Sequence, residues 1–442
     1  MRTDPAIVPL VKFPRTALPA VVCLSLVAAS CGSDSDGESS TGSTTGTEAP
    51  VSTEAPVETD APADTTPATD APTADAGLID TPMSADDAAA VDAAAELATE
   101  SLTEFGATAM YLGVWDPDKG FYTVAYGDAS TGGPAATVAD SFRIGSITKT
   151  VTATVILQLV DEGALTLDDT IGDLLPDLAA QYPDIAGLTV QQLLSMTSGI
   201  PDYLNVPDGA TGAVVEDPAR VWETEELIAI GVNEGLAEAG TPGYSTTNYL
   251  ILQLIAEDLT GMPLSDAIAE RITEPLGMET FVLPPNDDTT LPEPSSAGYV
   301  AGPCIDEFAA VGAVLDGPTE TTDWNVSYGQ GGGGITATIA DLGIWAGSGV
   351  GNALLSDDTV TERNTFEPIE EGLDYGLGIL ENGAWVGHTG EVFGWEAGAF
   401  RNPDTGVTAA FAANGCGGTF LGFIFIMETL YPETGALTLI GL

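Results

Sequence analysis

The chain is short of positive charge. Ten Lys and Arg stand against 66 Asp and Glu over 442 residues, a formal net charge of −56. That shortage leaves nucleic-acid binding nearly excluded, because phosphates must be neutralised by basic side chains. It also excludes docking on an anionic lipid surface by charge alone. Histidine occurs once and cysteine four times, so neither a zinc cluster nor a dense disulfide framework is expected. Residues 32–80 have no lysine, no arginine and no aromatic residue. Such a stretch cannot bury enough apolar surface to offset chain entropy, and disorder is expected there. An acid excess of this size favours a soluble, monomeric molecule and suggests adaptation to salt.

What is present divides the chain into three. Arg2, Lys12 and Arg15 form a basic segment ahead of the apolar run TALPAVVCLSLVAAS, residues 16–30. That run is shorter than the ~20 residues of a membrane span and reads as a signal peptide over 1–30. Its small residues precede Cys31, as in a bacterial lipobox, although Ala28 stands where Leu is usual. Cys31 is then the expected lipidation site; ordinary cleavage near Ala29 would leave it unmodified. Residues 31–83, with recurring TEAP and TDAP units, read as a disordered acidic tether. Residues 84–442 read as the folded domain. At 44% hydrophobic residues the chain can fold, and its length implies two lobes or an extra segment.

Within the folded part, residues 85–103 favour a helix with Ser84 as N-cap. Two strand-like runs, 107–115 and 120–127, are joined by a DPDK turn. A helix follows residue 146, with Val151, Val155, Ile156, Leu159 and Val160 at helical spacing, and stops at Gly163. The middle, about 165–340, is rich in helical runs. Strands return at 383–387, 394–401 and 406–414, and the apolar run 419–430 can cover the sheet as a helix. The pattern predicts an α+β fold: one sheet formed by both chain ends, flanked by helices, plus a helical lobe. Cys304 and Cys416 are the thiols of this domain; in an exported protein they either pair or remain free.

Chemistry is concentrated at three places. Lys149, one of two lysines in the folded part, lies three residues after Ser146 in FRIGSITKT. Positions i and i+3 share a helix face, so Lys149 Nζ can reach Ser146 Oγ at the start of the helix. A lysine whose pKa is lowered by burial can take the serine proton. Tyr244, in PGYSTTNY, precedes another helical run and has a phenol of similar pKa that can share the proton. The single histidine sits in Gly387-His388-Thr389-Gly390, where the glycines allow close approach of backbone to a ligand. The run QGGGG at 330–334 has no following GK, so it is read as a turn before a helix capped by Thr336 or Thr338, not as a phosphate loop.

Ser-x-x-Lys, then a Tyr motif, then His-Thr-Gly, in that order, resembles the serine β-lactamase and D-alanyl-D-alanine carboxypeptidase superfamily. The class C β-lactamase-related branch, penicillin-binding-protein-like, is the most similar. LTVQQLLSMTSGIPDY (188–203), the stretch 244–281 ending in PLGMETF, GGGGITATIADLGIWA (331–346) and DYGLGI (374–379) extend the resemblance over about 90–430. It implies the β-lactamase/transpeptidase-like fold, with Ser146 as nucleophile and Lys149 and Tyr244 as acid and base. It implies that Thr246, His388, Thr389 and Gly390 bind substrate, His388 at the position that often meets a substrate carboxylate. The backbone N–H groups of Ser146 and Glu391 would form the oxyanion hole. No metal and no cofactor is implied.

Three residues depart from the family pattern. Thr246 stands where Asn is common, Met196 where His usually precedes Thr-Ser-Gly, and Glu391 places a carboxylate beside the oxyanion position. The Met196 change reads as one of packing. The expectation is an exported, lipid-anchored serine acyl hydrolase with a small-molecule or peptidoglycan-derived substrate. A D-alanyl-D-alanine carboxypeptidase or β-lactamase-related hydrolase comes first. A carboxylesterase or a non-catalytic binder of cell-wall fragments is the alternative.

Overall fold

A computed structural model describes residues 79–434, apart from 103–105, 208, 371–372 and 416–418. The signal peptide, Cys31 and nearly all of the tether lie outside the described residues, as does Cys416.

Helix α1 (Ala85–Leu102) starts where Asp87 N donates to Ser84 Oγ at 3.2 Å, the cap read from the sequence. Strands β1 (Ala109–Asp116) and β2 (Gly120–Gly127) form a hairpin across the DPDK turn. Every residue of β1 is buried, which its apolar run requires of a central strand covered on both faces. The nucleophile helix is α2 (Thr148–Asp161), and α3 (Thr246–Thr260) packs against it. Helix α4 (Ile339–Gly347) follows, with Thr338 Oγ1 accepting from Asp341 N at its start. Thr336, the other residue considered as a cap, lies in a two-residue ladder with Arg143. The glycine run before it is no simple turn, because Gln330–Gly333 makes one short helical turn.

The C-terminal strands are β3 (Glu367–Glu370), β4 (Leu373–Tyr375), β5 (Leu380–Asn382), β6 (Trp385–Val392), β7 (Trp395–Arg401) and β8 (Thr408–Ala413). They join the hairpin in one eight-stranded sheet of order β2-β1-β8-β7-β6-β5-β4-β3. The N-terminal strand β1 pairs antiparallel with the last strand β8, so both chain ends close the sheet as expected. Helix α5 (Thr419–Leu430) covers one face with α1: the Phe423 ring lies 4.4 Å from that of Phe411. On the other face Trp115 fills the space left by Gly343 of α4.

Two sequence expectations need correction. The strand predicted at 383–387 runs instead from Trp385 to Val392, straight through His-Thr-Gly, because Gly383 (φ +59°) turns the chain before it. The sheet also continues through β3, β4 and β5, whose short lengths gave no period-2 signal.

Candidate active site

Ser146 sits in a 3-10 turn, Gly145–Ile147, leading into α2. Gly145 has φ +52°, the left-handed region that favours glycine. A Cβ on Gly145 would lie 2.5 Å from Glu391 N, and one on Gly390 would collide with Ile144 O and lie 2.8 Å from Ser146 N. The nucleophile turn and β6 therefore touch backbone to backbone. That contact sets the backbone nitrogens of Ser146 and Glu391, the two groups expected to form an oxyanion hole, on adjoining stretches of backbone.

Lys149 Nζ donates to Ser146 Oγ at 3.0 Å and to Gly332 O at 2.8 Å. Lys149 is fully buried, whereas Ser146 is partly exposed. Burial pulls the ammonium down to about 7, against the opposing field of Asp202. The rings of Tyr244 and Tyr249 lie 4.9 and 5.7 Å from Nζ. The Tyr244 hydroxyl makes no hydrogen bond of complete geometry. It is nonetheless close enough to Ser146 for the serine hydroxyl to oppose the rise in its pKa. Burial dominates and keeps the phenol protonated well above its ordinary range.

His388, expected at a substrate-binding position, is enclosed in this structure. It is fully buried, its Nδ1–H donates to the carbonyl of Thr389, and its Nε2 accepts from the Tyr375 hydroxyl at 3.1 Å. Burial lowers its pKa to about 3, so it is a neutral support for Tyr244, whose ring lies 6.2 Å away. Thr246 is likewise enclosed, and its hydroxyl donates to Asp202 Oδ2 at 3.2 Å.

Glu391 pairs across the sheet with Glu396. Strand alternation puts both side chains on the face opposite His388 and Gly390, so the carboxyl turns away from Ser146. Burial, then the fields of Glu396 and Glu307, raises Glu391 to about 8. Thr389, partly exposed, lies on the same face as Glu391. Met196 is buried at φ +60°, and its Sδ accepts from Ser245 N at 3.3 Å beneath the Tyr motif. Cys304 is buried and disulfide-bonded, and Cys416 is outside the described residues.

Sequence reasoning missed Asp202, Tyr249, Tyr375 and Arg363. Arg363 is buried and, among the described residues, has no acidic partner, donating to Thr154 Oγ1 and Thr150 O on α2. These residues lie far from Ser146 in sequence and carry no local spacing signal.

The β-lactamase family model matches residues 94–422, which is most of the chain. The chain belongs to the β-lactamase family. A penicillin-binding protein of Bacillus subtilis is 28% identical over 292 residues, covering 62% of this chain and 60% of that one. The D-alanyl-D-alanine-carboxypeptidase/endopeptidase AmpH of Escherichia coli is 29% identical over 237 residues, covering 50% of this chain and 58% of its own. The chain thus spans less than two thirds of both relatives. Among solved structures, a D-stereospecific amidohydrolase from Streptomyces superposes with TM-score 0.66 at 25% identity, covering 77% of this chain and 98% of that one. The D-amino acid amidase of Ochrobactrum anthropi, also at 25% identity, gives 0.64 over 81% of this chain and 99% of its own. The β-lactamase/transpeptidase-like fold and a serine-hydrolase superfamily membership are therefore established for this chain.

Proposed function

We propose that the protein is a serine acyl hydrolase that cleaves amide or ester bonds with an uncharged leaving group, through an acyl-enzyme on Ser146. The observation that carries this reading is the 3.0 Å contact between buried Lys149 Nζ and partly exposed Ser146 Oγ. Neutral Lys149 takes the Ser146 proton as Oγ bonds to the substrate carbonyl carbon. The oxyanion lies between the N–H groups of Ser146 and Glu391. The Tyr244 phenol gives its proton to the departing nitrogen or oxygen and regains one from Lys149. Water releases the acyl group by the same steps in reverse.

The leaving-group preference follows from charge. A peptide C-terminus or a penicillin presents a carboxylate, which a cation would hold. Around Ser146, His388 is neutral and Arg143 is enclosed, donating to Thr289 O at 2.9 Å. Neither of these two side chains is free to hold that carboxylate. The amidase neighbours fit this reading. D-alanyl-D-alanine carboxypeptidase activity is the second reading, supported by the AmpH likeness and by His388-Thr389-Gly390 in the family's order.

The test is a substrate panel: a D-amino acid amide, a p-nitrophenyl ester, an acylated D-alanyl-D-alanine and a penicillin. Amide or ester turnover with kcat/KM at least ~10-fold above the carboxylate-bearing substrates is expected. The reverse order would favour the carboxypeptidase or β-lactamase reading. We further propose export and lipid anchoring through Cys31. Metabolic labelling with a fatty acid should tag the protein, and Cys31→Ala should lose the tag.

A further inference from the structure

We propose that Asp202 is a positioning residue of this site: a buried counter-charge, fixed by Thr246, that stabilises the positive charge appearing on Lys149 when it takes the Ser146 proton. The inference rests on the proposed roles of Ser146 and Lys149.

The first turn of α3 is built to hold the loop that carries Asp202. Thr246 Oγ1 donates to Asp202 Oδ2 at 3.2 Å. Thr247 Oγ1 donates to Pro201 O at 2.6 Å and accepts from Tyr203 N at 3.1 Å. Asn248 accepts from Ser198 Oγ at 2.7 Å and donates to Leu193 O at 3.1 Å. Asp202 Oδ1 also accepts from Leu204 N at 3.1 Å, and Asn205 Nδ2 approaches Oδ2 at 3.4 Å. Three consecutive side chains thus clamp residues 193–203. Thr246 also packs on the glycine whose carbonyl holds Lys149. A Cβ on Gly332 would lie 2.5 Å from Thr246 Cγ2, and Gly332 O is the carbonyl that Lys149 Nζ bonds at 2.8 Å. One threonine therefore braces both the lysine's carbonyl partner and the carboxylate. This gives a reason for Thr where the family has Asn: its hydroxyl serves Asp202, not substrate.

The titratable groups facing Lys149 are few. Tyr244 and Tyr249 present rings, His388 on β6 is neutral, and Arg363 donates to the carbonyl of Thr150, the residue after Lys149, and to Thr154 one turn on. Tyr375 stands behind Tyr249 and His388, and Glu391 turns to the other face of β6. Asp202 is the carboxylate whose field acts on Lys149, and Lys149 acts back on it. Burial disfavours charge on both, so the two titrate as a coupled pair. When Lys149 gains a proton, an ionised Asp202 leaves the enclosed site without net charge.

Asp202→Asn keeps the shape and an acceptor for Thr246 but removes the charge. Losing a negative neighbour lowers the Lys149 pKa. The acid limb of the acylation rate should therefore move to lower pH by about 1–3 units. The plateau should fall roughly 10-fold, since a weaker base transfers the proton less readily. Thr246→Val keeps the methyl against Gly332, removes the hydroxyl, and should shift the limb in the same direction by less. It serves if Asp202→Asn does not fold, which thermal unfolding will show. Ser146→Ala and Lys149→Met run beside them. If both controls are inactive while the acid limb and plateau of Asp202→Asn, or of Thr246→Val where that variant stands in, match wild type, the role of Asp202 is overturned and the site reading stands. If either control keeps full activity, the site reading itself fails and takes this inference with it.

Discussion

Gly390 has no room for a side chain, because a Cβ there meets Ile144 O and Ser146 N. Gly390→Ala should push β6 off the nucleophile turn and lower the acylation rate by roughly 100-fold, as a displaced oxyanion donor does. A rate within twofold of wild type would show that the contact does not position the site. Lys149, at about 7, should make acylation rise with pH around neutrality, since the free amine is the base. His388 carries a stability prediction. Its folded pKa, about 3, lies below its ordinary 6.5, so only the unfolded chain binds a proton between those values. Stability from this residue is present above pH 6.5 and falls as pH drops toward 3, by up to ~1.4 kcal/mol per unit. Urea unfolding at several pH values should give a shallower acid loss for His388→Gln. Ser146 and Lys149 were legible because one helix turn carries both. Asp202 was not, being one of 66 acids with no local mark. His388 was found by its rarity, but its enclosure by Tyr375 and a carbonyl was not legible, because those partners carry no mark in the sequence around it.

At the scale of elements, the sheet joins the ends of the chain. The hairpin β1–β2, strands β7 and β8, and helix α5 were readable from alternation, the DPDK turn and apolar runs. Strands β3, β4 and β5 were not, because three or four residues are too few to establish a period. The joint between β8 and α5 rests on Phe411, which is 1% exposed and stacked 4.4 Å from Phe423. Phe411→Ala should cost about 3–5 kcal/mol in urea unfolding. A loss under ~1 kcal/mol would mean that α5 does not depend on this stack.

Across the whole molecule, the charge of −56 implies strong self-repulsion. Added salt screens exposed charges beyond about a Debye length. Thermal unfolding of residues 79–442 should therefore move to higher temperature as sodium chloride rises; a flat or falling midpoint would remove the case for salt adaptation. Helix α2 and the sheet meet at the Ser146 turn, where two lysine contacts, two glycines and one tyrosine converge. The most direct test of that convergence is the intact mass of the protein after exposure to a fluorophosphonate, with Ser146→Ala beside it. The account predicts one stoichiometric adduct on the wild type and none on the variant. An unmodified wild type, or an equal adduct on both, would contradict Ser146 as the activated nucleophile.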